Sequence, residues 1–534
     1  MELRLLLCKI IITIALLGLV STLMKMCEAL ILKPKRLRAI LRKQGIRGPP
    51  PSFLLGNIDV LSRKDWILSE TGVTPPILPG NVPSCIFGPT FMFSLGNIQI
   101  LHMNDPEVVK EISICTSLDF GKPSYQSKER GPLLGQGILT SNGATWAHQR
   151  KILAPELYME KVKEVYGGWL CSGTALEHSS DCAQAPSGWY CAMVLSDTAI
   201  ERLSDCAQAL SGWYCVLGMM NIMVDSSMAV VNSWRIESVG GVADVNIDEY
   251  MRNFSGDVIS RACFGSNYSK GEEIFLKLRA LQEHMSKKIL SNGIPGMRYL
   301  PTKSNRETWK LDKDVRALIL KVAKERKKAA SGNYDLLHMI LGAATNSGFS
   351  QHETDRFIVD NCKNIYLSGV RAEVVEVCGD QMPDADTVRK IKILTMIIHE
   401  SLRLYPLVLV VSREALEDLK FGDIQVPKGV NVLTLMVTLH QDPNIWGPDA
   451  KEFNPERFAN GASGACKLPY VYMPFGVGPR TCLGQNFAMV ELKILLALIV
   501  SNFSLSLSPK YRHSLAMRLV IEPENGVNLL IKRL

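Results

Sequence analysis

The stretch Pro474–Val500, PFGVGPRTCLGQNFAMVELKILLALIV, constrains this chain more than any other. Gly476 and Gly478 permit backbone geometry closed to other residues. Cys482 then falls just ahead of an apolar helical run. At a helix N-terminus, free amides and the helix dipole stabilise a thiolate. Gly484 leaves space beside the helix for a large flat ligand. A lone cysteine is ordinarily a small buried hydrophobe. Here Phe475, Gly478, Arg480, Cys482 and Gly484 form one tight pattern, and the plain reading loses ground.

Composition sets the outer limits. The chain has 534 residues, 47% hydrophobic, enough for a large core. Its formal net charge of +8 is mild for that length and lacks the basic stripe of a nucleic-acid binder. From Leu5 to Met24 only Lys9 is charged, and 20 residues are about what a bilayer needs. A basic run follows, Lys33, Lys35, Arg36, Arg38, Arg42 and Lys43, with no small-residue cleavage site. Positive charge after the span predicts an uncleaved single-pass anchor with the remainder cytosolic. The 14 cysteines then face a reducing compartment, where disulfides are not expected.

Three segments follow from this reading: an anchor over 1–32, a basic and proline-rich hinge over 33–57, and a globular domain over 58–534. TFMFSLGNIQILHM predicts two short strands around a Gly-Asn turn, and Asp105-Pro106-Glu107 opens a helix. Helical periodicity dominates to about residue 405. LVIEPENGVNLLIKRL carries a hairpin signal at Asn525-Gly526. The fold class expected is mainly α with a minor β-sheet component. An 18-residue block at 174 recurs at 198, so 167–218 reads as a duplicated Cys/Trp insertion. Its Cys-x8-Cys spacing fits no usual zinc pattern.

A thiolate held as at Cys482 suits axial ligation of haem iron. The cysteine loop closely resembles that of the cytochrome P-450 superfamily, the haem-thiolate monooxygenases. Further motifs match in order. Glu400 and Arg403 in MIIHESLRLYP fit the family's Glu-x-x-Arg helix, and Arg457 in NPERF completes a structural Glu-Arg-Arg network. Trp146 and Arg150 in ATWAHQR fit its Trp-x-x-x-Arg. The resemblance implies that Trp146, Arg150, Arg413 and Arg480 hold the haem propionates and that Cys482 is the metal ligand. It implies a microsomal protein of the endoplasmic reticulum membrane, contacting lipid and served by an NADPH-dependent flavoprotein reductase. The reaction implied is hydroxylation of a small apolar molecule, with residues 117–143 at the pocket entrance. CKNIYLSG, RAEVVEVCG and GPRTCLGQNFA resemble plant members of the clan with gibberellin- and cytokinin-oxidising enzymes, which suggests a terpenoid substrate without identifying one.

The chain departs from that family at one telling place. Family members carry small residues, an acid and a threonine in a long helix over the haem, and the last two relay protons for O–O cleavage. Here Ser368-Gly369 begins that motif and VRAEVVEV follows at once. The join at 369/370 reads as a deletion, and no catalytic acid or threonine is assigned. With the 167–218 insertion, it implies gene decay or exon-level error. Two alternatives to a working monooxygenase stay open: an impaired or inactive haem-binding product, and a haem-thiolate isomerase or dehydratase that needs no O2.

Overall fold

The computed structural model describes residues 2–53, 55–57, 87–157, 221–264, 268–286, 297–329, 336–371, 387–517 and 521–534. The 167–218 insertion lies outside them, as does the chain from 372 to 386.

The apolar N-terminal run forms the helix Glu2–Cys27. At about 1.5 Å per residue, its 26 residues are long enough for a hydrocarbon layer of roughly 30 Å. From Leu6 onward its leucines and isoleucines are exposed, in contrast to the buried ones of the globule. A π turn at Glu28–Leu32 joins it to the helix Lys33–Lys43. Pro34 lacks the amide an α-helix needs there, and the wider turn precedes it. The basic flank expected to belong to a hinge is therefore helical over Lys33–Lys43. Leu37 and Leu41 are buried against the sheet, and Arg38 donates to Ser94 Oγ and to Pro49 O at 2.9 Å each. A sequence rich in Lys and Arg hides this docking because only one face of the short helix is apolar.

The largest sheet has five strands. Across it run Thr90–Leu95, Ile98–Met103, Asn431–Leu435, Val410–Ala415 and Phe120–Gly121. Only the Ile98–Met103 to Asn431–Leu435 pairing is parallel. The first two strands are those expected around Gly96, whose φ of 59° suits the tight turn. A three-stranded sheet joins Val242–Asn246, Asn528–Arg533 and Phe503–Leu507. The hairpin expected at Asn525-Gly526 does not form. The turn is present, but Ile521–Pro523 pairs with Leu515–Met517 while Asn528–Arg533 pairs elsewhere. Alternation marks a strand and its turn; it does not choose the partner.

The helices form the bulk. Ile247–Phe264, Tyr268–Ser286, Lys303–Ala329, Leu336–Asn346 and Gln351–Arg371 pack around one large apolar cluster with Gln485–Asn502. Fold class is as expected, mainly α with minor sheets. Asp105 caps Pro106–Ile114, its Oδ1 accepting from Glu107 N and Val108 N at 3.0 and 3.3 Å.

Candidate haem-thiolate site

Cys482 stands two residues before Gly484, the N-cap of the helix Gln485–Asn502. Its backbone N–H donates to Phe475 O at 2.8 Å, closing the loop on itself. The first turn of any helix leaves its amides without intrahelical partners, so the cysteine faces the positive end of an 18-residue dipole. Its side chain is exposed. Two glycines shape the loop in different ways. Gly478 has φ of 69°, and a Cβ there would meet Ser113 O at 2.1 Å, so the fold itself demands glycine. Gly484 has φ of −85° and a Cβ there would touch nothing within 4 Å. No protein neighbour requires glycine at 484, so the open side of the helix start is free for a ligand. Phe475 packs on Ile398, Leu402 and Leu492, which ties the loop to the helix Thr387–Leu404.

Beside the loop, cations converge. Trp146 and Arg150 lie on the helix Gly143–Leu157. Trp146 is buried, and the Arg480 guanidinium stacks on its ring at 4.1 Å from the centroid. Arg480 donates to Ser141 O and Asn142 Oδ1 at 3.2 Å each. Arg150 Nη1 donates to Thr481 O at 3.0 Å, next to the cysteine. Arg413 is buried on the strand Val410–Ala415 and donates to Ser412 O at 3.1 Å. Burial pulls the Arg413 pKa down to about 10. Arg480 falls to about 9, first through burial and then through Arg413 and Arg150. Arg413 and Arg150 thus both act on Arg480 as like-charged neighbours. Among the described residues no carboxylate lies within 4 Å of Arg413 or Arg480.

The Glu-Arg-Arg network forms, though unevenly. Glu400 and Arg403 are both fully buried. Arg403 grips the carboxylate with two 2.7 Å hydrogen bonds and also donates to His440 O and Ala450 O. Arg457 Nε is 3.6 Å from Glu400 Oε1, but its closer carboxylate is Asp449 at 2.7 Å. Arg403 also lies over Trp446 at 5.1 Å. This network ties the segment 440–458 to the helix Thr387–Leu404 through a fully buried ion pair, which is a structural arrangement.

The helix Gln351–Arg371 runs through Gly369 and Val370 as helix, so no cap forms at the join. Its described acid nearest the join, Asp360, accepts from Gln136 N at 2.8 Å, and burial raises its pKa. That carboxylate is already engaged in holding a loop.

Arginines converging beside a cysteine at an open helix start, two of them (Arg413 and Arg480) with no described carboxylate partner, suit a flat ligand that carries two carboxylates and a thiolate-binding metal. Such an arrangement defines a haem-thiolate protein. The Cytochrome P450 family model matches residues 83–172 and 366–529. Cytochrome P450 714C2 of Oryza sativa subsp. japonica is 43% identical over 94% of this chain and 94% of its own length. Cytochrome P450 714B3 of Zea mays is 38% identical over 98% and 96%. Cytochrome P450 714A2 of Arabidopsis thaliana is 35% identical over 92% of each. The haem domain of cytochrome P450DA shares the fold, with a TM-score of 0.64 at 21% identity, covering 92% of this chain and 98% of that one. The chain belongs to the cytochrome P450 family, whose members are haem-thiolate proteins.

Proposed function

We propose that this chain binds haem with Cys482 as the axial metal ligand and acts as a monooxygenase on a small apolar molecule. The convergence of Arg413, Arg480, Arg150 and Trp146 beside the Cys482 loop carries this reading. Bound haem supplies the redox chemistry that activates O2. The residues of the chain do the rest. The helix start at Gly484 stabilises the Cys482 thiolate, and Phe475 braces the loop that presents it. Gly478 lets that loop pass under Ser113. The arginines bind the propionates by charge-assisted hydrogen bonds, each worth more than a neutral one. The electrons come from NADPH through a flavoprotein reductase, and the exposed helix Glu2–Cys27 anchors the chain in the endoplasmic reticulum membrane. A terpenoid of gibberellin type is the substrate class suggested by the plant-clan resemblance.

A second reading rests on the helix Gln351–Arg371. Its described acid nearest the join is engaged by the Gln136 amide, and the stretch directly after Gly369, VRAEVVEV, holds no threonine to pair with an acid. Proton delivery needs such groups within hydrogen-bond reach. The alignment with the rice relative runs over 545 positions, longer than this chain, and is therefore gapped. On this reading the chain binds haem but turns over slowly or not at all. Reconstitution with a reductase and NADPH separates the two. Coupled product formation supports the first; NADPH consumption without product supports the second.

A further inference from the structure

The helix Gln351–Arg371 carries a run of polar residues where a core helix is expected to be apolar. Asp360, Asn361, Lys363 and Asn364 occupy one face and all are buried. Each meets the backbone of the loop 132–139. Asp360 Oδ2 accepts from Gln136 N at 2.8 Å. Asn361 Oδ1 accepts from Ile138 N at 3.1 Å. Asn364 Oδ1 accepts from Leu139 N at 2.8 Å, while its Nδ2 donates to Leu134 O at 2.6 Å. Lys363 Nζ donates to Pro132 O at 2.9 Å and is neutralised by Asp312. The loop is cut to fit. A Cβ at Gly135 would lie 2.1 Å from Asp360 Cγ, and one at Gly137 would lie 2.8 Å from Asn364 Oδ1.

The strapped loop does not end there. Gln136 O accepts from Gln149 Nε2 at 3.0 Å, and Ser141 Oγ donates to Gln149 Oε1 at 3.2 Å. Ser141 N donates to Gly137 O at 3.0 Å. Ser141 O and Asn142 Oδ1 are the two acceptors that hold Arg480. A short relay of fixed backbone thus joins one helix face to the guanidinium beside the cysteine loop.

We propose that Asp360, Asn361 and Asn364 are positioning residues for Arg480, acting through the loop 132–142 to set the propionate-binding geometry. This rests on the haem reading above. Polar side chains that pair fully with buried backbone fix one loop conformation, because any other conformation strands amides without partners.

The test is titration of the detergent-solubilised full-length chain with haem and with haem dimethyl ester, whose propionates are capped. Asn364→Ala and Asn361→Ala are expected to weaken haem binding about tenfold, the scale of a lost charge-assisted contact, and to leave ester binding nearly unchanged. Arg480→Ala is expected to show the same selectivity. The double variant Asn364→Ala/Arg480→Ala is expected to lose little more than either alone, because both act on one contact. Asn364→Asp keeps the acceptor for Leu139 N, removes the donors, and serves if the alanine variant does not fold. Equal losses for haem and ester, or additive losses in the double variant, would overturn the proposal. An unmutated chain that binds both ligands equally would overturn the Arg480 assignment and this with it. An unmutated chain that takes up neither ligand would overturn the haem reading itself.

Discussion

Arg480 shows how a single residue can be unfavourable for folding and useful for binding. Its folded pKa of about 9 lies below the ordinary value of 12.5, so the buried charge opposes folding at neutral pH. The penalty is constant below about 9 and fades only as pH rises toward 12.5. A bound dianion reverses the sign of the local field. Arg480→Met is therefore expected to raise the melting temperature of the haem-free chain while lowering haem retention, measured by calorimetry and haem titration. Cys482 was readable as a candidate from the glycines, phenylalanine and arginine set around it at fixed spacings, whereas Trp146, Arg150, Arg413 and Arg480 came as propionate partners only from what the family resemblance implies. Ser141 and Asn142, which hold Arg480, were not readable, since serine and asparagine before a helix look like an ordinary loop.

At the scale of elements, the helix Thr387–Leu404 and the segment after it stand on one buried carboxylate. Glu400→Gln removes the counter-charge of Arg403 and leaves a buried cation. The expected cost is about 3–5 kcal/mol, the range for breaking one side of a buried pair. Arg457→Ala is expected to cost less, because Arg403 still engages Glu400 through two hydrogen bonds. Thermal denaturation of both variants tests the order. The Glu-x-x-Arg spacing made this pair legible, whereas Asp449 as the closer partner of Arg457 was not, because it lies on an irregular stretch with no period to read. The polar face of Gln351–Arg371 was missed for the opposite reason. Asp360, Asn361, Lys363 and Asn364 look like a solvated stripe, and only the glycines at 135 and 137 hint that a backbone comes close. The helix Lys33–Lys43 likewise reads as a charged connector, because its basic residues mask the face on which Leu37 and Leu41 pack in the sheet cluster.

For the whole molecule, three buried histidines favour loss of stability in acid. His102 and His399 are held near 4 and His440 near 3, in each case chiefly by burial. The unfolded chain takes up protons near 6.5 and the folded chain does not, so stability falls as pH drops below about 6.5 toward those values. Each histidine contributes up to about 1.4 kcal/mol per pH unit in that window. The melting temperature of the full-length chain is expected to drop steeply between pH 6.5 and 5. A flat profile there would show that these side chains are solvated. Mainly helical class, the first strand pair and the apolar first helix follow from periodicity and composition. Strand partners separated by hundreds of residues, such as Asn528–Arg533 with Val242–Asn246, do not.

The central proposal is that Cys482 supplies a thiolate to haem in this chain although VRAEVVEV directly follows Gly369. The ferrous carbon-monoxide spectrum of the purified full-length chain tests it most directly. The account expects the red-shifted Soret band of a thiolate-ligated haem, lost in Cys482→Ser. An unshifted band, or a red-shifted band that survives Cys482→Ser, would contradict it.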